Sequence, residues 1–362
     1  MARSYMGTAL SVALLTTLAI SVSAKTERAG YGSDVISRNG GIWSHQNLFA
    51  WCVVPFDANK RSPQERALML KRLGFRSFAY DWRDENVPTF DAEIDSLSEQ
   101  RIHLLAWWFP FDAEDAAAKA TLDTFRRHNV HPQLWVPQSS RPTPETEKKV
   151  EGLLPQGVKI PKNGDDWSKL SDEQRKIIGE AFEKADATES PAERDQRVLR
   201  EAERIKKLVA LATPYGVRVE LYNHNGWYGI EENQLAIIQK LKTLGVNDVG
   251  MVYNFSHARD TAHDDTKEFP ALWKKIKPYV VAVNITGTHM DGDLIYPSQG
   301  DRELEMMRVI QSSGWKGPVG LIAEKGGDAE VTLRNYMKGL DWLAAEVQQS
   351  GSGGEPPFPR VP

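Results

Sequence analysis

Apolar and polar positions alternate along Val217-Arg218-Val219-Glu220-Leu221-Tyr222. Val217, Val219 and Leu221 share one face of an extended segment. Arg218, Glu220, Tyr222 and His224 share the other, because strand side chains repeat every two residues. Further short apolar runs begin near Phe49, Phe75, Ile102, Pro132, Val249, Val280 and Val319, making eight with Val217. Charged amphipathic segments separate them, such as 192–212, where Val198, Ala202, Ile205, Leu208 and Leu211 fall at helical spacing. The turns Leu73-Gly74-Phe75, His128-Asn129-Val130, Tyr215-Gly216-Val217, Leu244-Gly245-Val246 and Ser313-Gly314-Trp315 carry the Gly or Asn that suits a left-handed helix cap. Most runs are spaced about 25–40 residues apart, as one strand plus one helix requires. The pattern predicts an α/β fold, a (β/α)8 TIM barrel over residues 48–348. A doubly wound open sheet is the competing arrangement, but no Gly-x-Gly-x-x-Gly follows the first run.

One interval breaks the rhythm. The stretch 137–161 is rich in Pro and polar residues and reads as a loop. Ser171-Asp172-Glu173-Gln174 is a capping-box pattern that starts a helix. Residues of about 140–190 therefore read as a helical insertion after the fourth strand, on the side of a barrel where active sites sit. Residues 1–24 read as a signal peptide: Arg3, the apolar run Thr8 to Ser21, then Val22-Ser23-Ala24 as the cleavage site. Residues 25–47 form a lead-in, and the Gly/Pro-rich segment 349–362 is expected to be a disordered tail. The expected location is periplasmic or secreted.

Composition adds little. Hydrophobic content of 41%, charge of 26% and a formal net charge of -4 suit a soluble globular chain and give no reason to expect nucleic acid or membrane as a partner once the signal is removed. No feature specifies an oligomeric state. The single cysteine, Cys52, excludes an intramolecular disulfide and reads as a small buried hydrophobe. The 11 Trp offer faces on which sugar rings could stack.

In a parallel barrel, polar residues at the carboxyl ends of strands converge on one mouth. The second strand ends Ala79-Tyr80-Asp81-Trp82-Arg83, the third Ala106-Trp107-Trp108-Phe109 and the fifth Tyr222-Asn223-His224-Asn225-Gly226-Trp227. The sixth ends Tyr253-Asn254-Phe255-Ser256-His257, the seventh Val283-Asn284-Ile285 and the eighth Ile322-Ala323-Glu324-Lys325. Bland readings stand beside these: Glu220 with Arg218 as a buried ion pair, Glu324 with Lys325 as a rim pair, Asn254 and Asn284 as amides that tie loops. His263, Asp264 and Asp265 read as a solvated loop.

Asn223-His224-Asn225-Gly226-Trp227, Asn254-Phe255-Ser256-His257 and the turn Gln299-Gly300-Asp301 resemble the xylose-isomerase-like superfamily of sugar phosphate isomerases and epimerases, which also holds endonuclease-IV-type barrels. The resemblance spans about residues 45–345. It implies one divalent metal (Mn, Mg or Zn) held by Glu, Asp, His and Glu from the fifth to eighth strands. Here those positions are Tyr222, Asn254, Asn284 and Glu324, so only one keeps its type, and neutral Tyr and Asn are weak ligands for a hard dication. Glu324, Asn254 and His224 remain the candidate metal ligands.

The resemblance implies a carbohydrate-active enzyme that moves a proton next to a sugar carbonyl, or eliminates from a keto-glycoside, acting on a small carbohydrate; the signal peptide adds the expectation of export. Glu324, Glu220, His224 and His257 are the candidate catalytic groups. Tyr222, Asn223, Trp227, Asn284, Trp108 and Asp81 are the candidate sugar contacts. The alternative is a non-catalytic sugar-binding barrel that has lost the metal site. Endonuclease-like hydrolysis would require several metal ions and a basic face for DNA, and the sequence offers neither clearly.

Overall fold

A computed structural model describes residues 41–137, 141–161, 169–224, 226–258, 264–289 and 294–361. The expected signal peptide, most of the lead-in, Asn225 and His263 lie outside these residues. Eight parallel strands close in sequence order into a barrel. They are β1 Leu48–Trp51, β2 Ser77–Tyr80, β3 His103–Trp108, β4 Gln133–Val136, β5 Arg218–Tyr222, β6 Gly250–Asn254, β7 Val280–Ile285 and β8 Val319–Ile322. Closure runs in register from Leu48 opposite Val319 to Trp51 opposite Ile322. The (β/α)8 barrel expected from the alternation is the fold that forms.

Helices connect the strands, and their ends follow local chemistry. Ser62 caps Pro63–Leu73 in a reciprocal box with Glu65, and Gly74 ends that helix at φ 86°. Asn129 does the same for Ala116–His128 at φ 50°. Both turns need the left-handed region, which Gly enters freely and Asn tolerates. Helices Pro63–Leu73 and Phe90–Glu99 are joined by a buried ion pair. Arg66 donates from Nε and Nη2 to the two Glu93 oxygens at 3.0 and 2.6 Å. The remaining outer helices are Pro191–Ala212, Glu231–Thr243, Phe269–Ile276, Glu303–Ser312 and Ala329–Gln348. No helix among the described residues is long and apolar enough to cross a membrane.

The segment after β4 departs from the expected loop. Pro144–Glu151 is helical, with the Thr143 hydroxyl accepting from the Thr146 N–H at 3.2 Å. Proline at the first helical position gives up an N–H that would be unpaired anyway, so it starts this helix rather than breaking it. The second insertion helix, Asp172–Asp186, has the expected Ser171–Gln174 capping box. Val150, Ala181 and Ala185 form a small separate core with Leu154, Ile160 and Phe182.

The expected disordered tail is instead tied to the barrel. Phe358 stacks on Tyr296 with centroids 4.9 Å apart. The Val361 N–H donates to the Gln299 carbonyl at 2.9 Å, and Gly351 and Gly353 donate to the Glu346 carboxylate at 2.9 and 2.7 Å. Glycine and proline here permit a tight return path lacking its own regular structure, and the aromatic contact holds it.

Large side chains fill the barrel interior. Trp51 lies 4.9 Å from Trp135, 5.2 Å from Trp108 and 5.5 Å from Tyr222, measured between ring centroids. Phe49 meets Trp135 edge-on below them, at 5.7 Å. Gly320 leaves the room this packing takes: a Cβ there would stand 1.9 Å from Asn284 Oδ1 and 2.5 Å from Phe49. The aromatic layer is the floor on which the mouth is built.

Candidate active site

Tyr222 ends β5 pointing inward, as the alternation predicts, and its hydroxyl is enclosed. The Trp51 indole N–H donates to it at 2.9 Å and the Asn254 amide at 2.7 Å. These two donors use both lone pairs of the oxygen. The Asn284 amide stands 3.4 Å away, brought there by the register that sets Asn254 opposite Asn284. Asn254 is itself fixed, since its Oδ1 accepts from the Ser256 N–H at 3.1 Å and hydroxyl at 2.9 Å. That bond closes the short turn Phe255–His257 and carries His257 to the mouth. Burial first, then the nearby Cys52, pushes the Tyr222 phenol well above its ordinary range, so it stays protonated.

The ionisable groups sit above this floor. His224, two residues past Tyr222 on the same face, lies 5.0 Å from His257 ring to ring and edge-on to Trp108 at 6.0 Å. Burial, reinforced by Arg83, lowers the His224 imidazole to about 4. Burial and the neighbouring His224 hold His257 well below its usual value. Both rings are therefore neutral at pH 7. Asp81 is fully buried; its Oδ1 accepts from the Val54 N–H at 3.3 Å, and among the described residues its Oδ2 has no hydrogen-bond partner. Burial raises its carboxyl to about 7, against the opposing charge of Arg83. Glu324, just past β8 and partly exposed, is likewise raised by burial and opposed by Arg83.

Two members of this group were not singled out from the sequence. Cys52 is buried as expected, but in the left-handed region at φ 50°, and Asp81 and Glu324 add to the burial that pushes its thiol up. Arg83 donates from Nη1 to the main-chain carbonyls of Asp81 at 3.1 Å and Trp82 at 2.8 Å, and its guanidinium lies 6.0 Å from the Trp108 ring centroid. The available signal was Asp81-Trp82-Arg83, a charged pair directly after an apolar strand.

Other expected site residues are engaged elsewhere. Glu220 Oε2 accepts from the Gly250 N–H at 2.6 Å, and Oε1 lies 3.3 Å from Arg218; the expected pair forms, but only its Glu220 end is buried, since Arg218 is exposed. It sits four residues before His224, roughly 13 Å along an extended strand. It pairs in register with Trp135, at the level of the aromatic layer and away from His224. Asn223 points away from the mouth and donates to Glu231 at 2.6 Å. Trp227 donates to Glu189 at 2.9 Å, and Arg197 covers its ring at 4.4 Å, so its stacking face holds the insertion instead of a sugar. Asp264 bonds Thr266 within its own loop. Lys325 turns to the Leu294 carbonyl and the Tyr296 ring rather than pairing with Glu324. The structure thus gathers Glu324, His224, His257, Tyr222, Asn254, Asn284, Trp108 and Asp81, and separates Glu220, Asn223 and Trp227 from them.

The four positions at which the resemblance implies a metal do not fit one. Tyr222 has no lone pair to spare, and the Asn254 oxygen already takes two donors from Ser256. Asn284 Oδ1 and the Glu324 carboxylate are what remain, fewer oxygens than a hard dication requires. Among the described residues no group of three or more His, Cys, Asp and Glu side chains is placed to hold a metal ion.

No protein-family model and no curated protein matches the chain. Solved structures do. The IOLI protein with a binding zinc atom is 13% identical over 83% of this chain and 98% of its own, with a TM-score of 0.50. A D-psicose 3-epimerase from Clostridium cellulolyticum H10, solved with D-tagatose, is 13% identical over 84% of this chain and 97% of its own, at a TM-score of 0.47. A xylose isomerase-like TIM barrel protein from Mycobacterium smegmatis in complex with magnesium is 15% identical over 80% and 90%, at 0.44. At this identity the likeness to the IOLI protein is one of fold alone, the closed eight-stranded parallel barrel.

Proposed function

We propose that this chain is a carbohydrate-active enzyme of the sugar isomerase or epimerase kind, exported, that moves a proton next to a sugar carbonyl. The observation that carries the reading is the assembly of a raised carboxyl, Glu324, and two neutral imidazoles, His224 and His257, around one opening with Arg83. A carboxyl raised toward neutrality accepts and returns a carbon-bound proton more effectively at pH 7 than an ordinary Glu. Glu324 takes the proton beside the carbonyl, and the C–H electron pair passes into the carbonyl oxygen. A neutral His224 N–H donates to that oxygen as it becomes an enediolate. Protonation of the neighbouring carbon, with the hydroxyl proton passing by way of His224 to the former carbonyl oxygen, gives the isomer; protonation of the original carbon by another donor from its opposite face gives the epimer. With a 3-keto-glycoside the same pair expels the glycosidic oxygen, which takes the proton from Glu324. Trp108, partly exposed at the rim beside Arg83, offers the sugar an apolar packing surface.

The test is proton exchange in deuterated water, read by NMR, over a panel of aldoses, ketoses and 3-keto-glycosides. Wild type should incorporate deuterium or eliminate with at least one class. Glu324→Gln should lower that rate by about 10²–10⁴. Saturable sugar binding with neither exchange nor elimination would instead establish the non-catalytic sugar-binding barrel. Amino-terminal sequencing of protein recovered from the periplasm or medium tests export, with Lys25 as the expected first residue.

A further inference from the structure

We infer that Arg83, rather than a divalent cation, supplies the positive charge that binds the developing oxyanion at this mouth. The inference rests on the proton-transfer reading above and adds to it the group that meets the negative charge. Its first support is the closure of the metal positions. A phenol oxygen with both lone pairs taken and an amide oxygen with two donors leave a cation only Asn284 Oδ1, the Glu324 carboxylate and the neutral His224 ring, fewer oxygens than a hard dication requires. An enediolate still needs a compensating charge, and in a water-poor site that charge has to be built in.

Arg83 has the geometry for it. Its backbone N–H is held by Asn86 at 2.8 Å, and Nη1 is held by two main-chain carbonyls. The guanidinium is thus fixed by neutral partners. Among the described residues no carboxylate lies within salt-bridge distance of it, in contrast to Arg66, which pairs with Glu93 and gives its remaining Nη1 to the Arg61 carbonyl. Nε and Nη2 make no hydrogen bond to any described residue, so a fork of donors is left over. Arginine meets planar oxyanions through such a fork. The group also stands among the reacting side chains: its charge reaches Asp81, His224, Glu324 and Cys52, which come from four different strand ends.

The test uses the full-length protein without substrate and so does not depend on finding the sugar. Oxalate, a planar dianion shaped like an enediolate, is titrated calorimetrically into wild type, Arg83→Met and Arg83→Lys, each dialysed against EDTA. Wild type should bind, Arg83→Met should bind at least tenfold more weakly, and Arg83→Lys should recover part of the loss. Near-UV circular dichroism checks that each variant keeps its packing. In parallel, Mn²⁺ and Zn²⁺ are titrated into wild type and into the triple variant Tyr222→Glu, Asn254→Asp, Asn284→His. Wild type should bind neither ion at the mouth, and a folded triple variant should gain a site. Oxalate binding that needs an added dication, that is absent from wild type, or that survives unchanged in Arg83→Met overturns the inference. So does a stoichiometric wild-type metal site abolished by Glu324→Gln. Oxalate binding of the expected pattern with no sugar turned over would leave Arg83 as an anion site and refute the enzyme reading alone.

Discussion

Asp81 is buried with one carboxylate oxygen unpartnered, and this has a measurable cost. Its carboxyl lies at about 7 in the folded chain against 3.8 for the free side chain. The shift of about 3 units corresponds to roughly 4 kcal/mol at 1.36 kcal/mol per unit, an upper figure. The sign follows from linkage. A group whose pKa rises on folding contributes fully below its unfolded value, and the contribution is lost as pH climbs through the folded value. Wild type should therefore lose stability between about pH 4 and pH 7 by this route. Asp81→Asn has no proton to lose. Its side-chain oxygen can still take the Val54 N–H, and the main-chain carbonyl that holds Arg83 is unchanged. Urea unfolding of both proteins at pH 4, 5.5, 7 and 8 gives the difference directly. The variant should match wild type near pH 4 and gain about 1.4 kcal/mol per unit above it, levelling near pH 8. A difference that stays constant across the series would show that Asp81 is charged throughout, and the desolvation argument would fail.

Three further outcomes follow from packing. Gly320→Ala forces a methyl into space held by Asn284 and Phe49 and should cost about 1–3 kcal/mol, read as a lower urea midpoint; an unchanged midpoint would mean the floor is looser than described. Glu93→Gln leaves the Arg66 charge buried without its partner and should destabilise by about 3–5 kcal/mol, again from urea unfolding. Trp227→Phe removes the bond to Glu189, so limited proteolysis within 141–190 should accelerate while the barrel midpoint moves by less than about 1 kcal/mol. Equal protease resistance in the two proteins would show that the insertion is held by other contacts.

The barrel could be read from the chain because period-two strands and left-handed caps are local signals, and eight of them leave few ways to close. Placing Tyr222, Asn254, Asn284 and Glu324 at one mouth needed only the strand ends. What they do there was not readable. The bond from Trp51 to Tyr222 joins residues 171 apart, and it decides whether the phenol oxygen is free for a ligand. Trp227 invited a sugar-stacking role until Arg197, thirty residues earlier on an outer helix, took its face. Cys52 lies in an apolar run that hides its neighbours, because Asp81 and Glu324 arrive from adjoining strands. Pro144 was misjudged for a different reason: proline marks either a break or a beginning, and the choice turns on the Thr143 that precedes it.

The close-set indoles of Trp51, Trp108 and Trp135, the first two stacked and the third edge-on to Trp51, also give the molecule an intrinsic optical signature. Chromophores 4.9 and 5.2 Å apart share their excited states, so the trio should produce a split ultraviolet dichroism band distinct from the signals of isolated tryptophans. Trp108 is the one of the three that is partly exposed. Anything settling against it will distort that band, and the empty and filled forms can be told apart without a dye, a label or a known reaction.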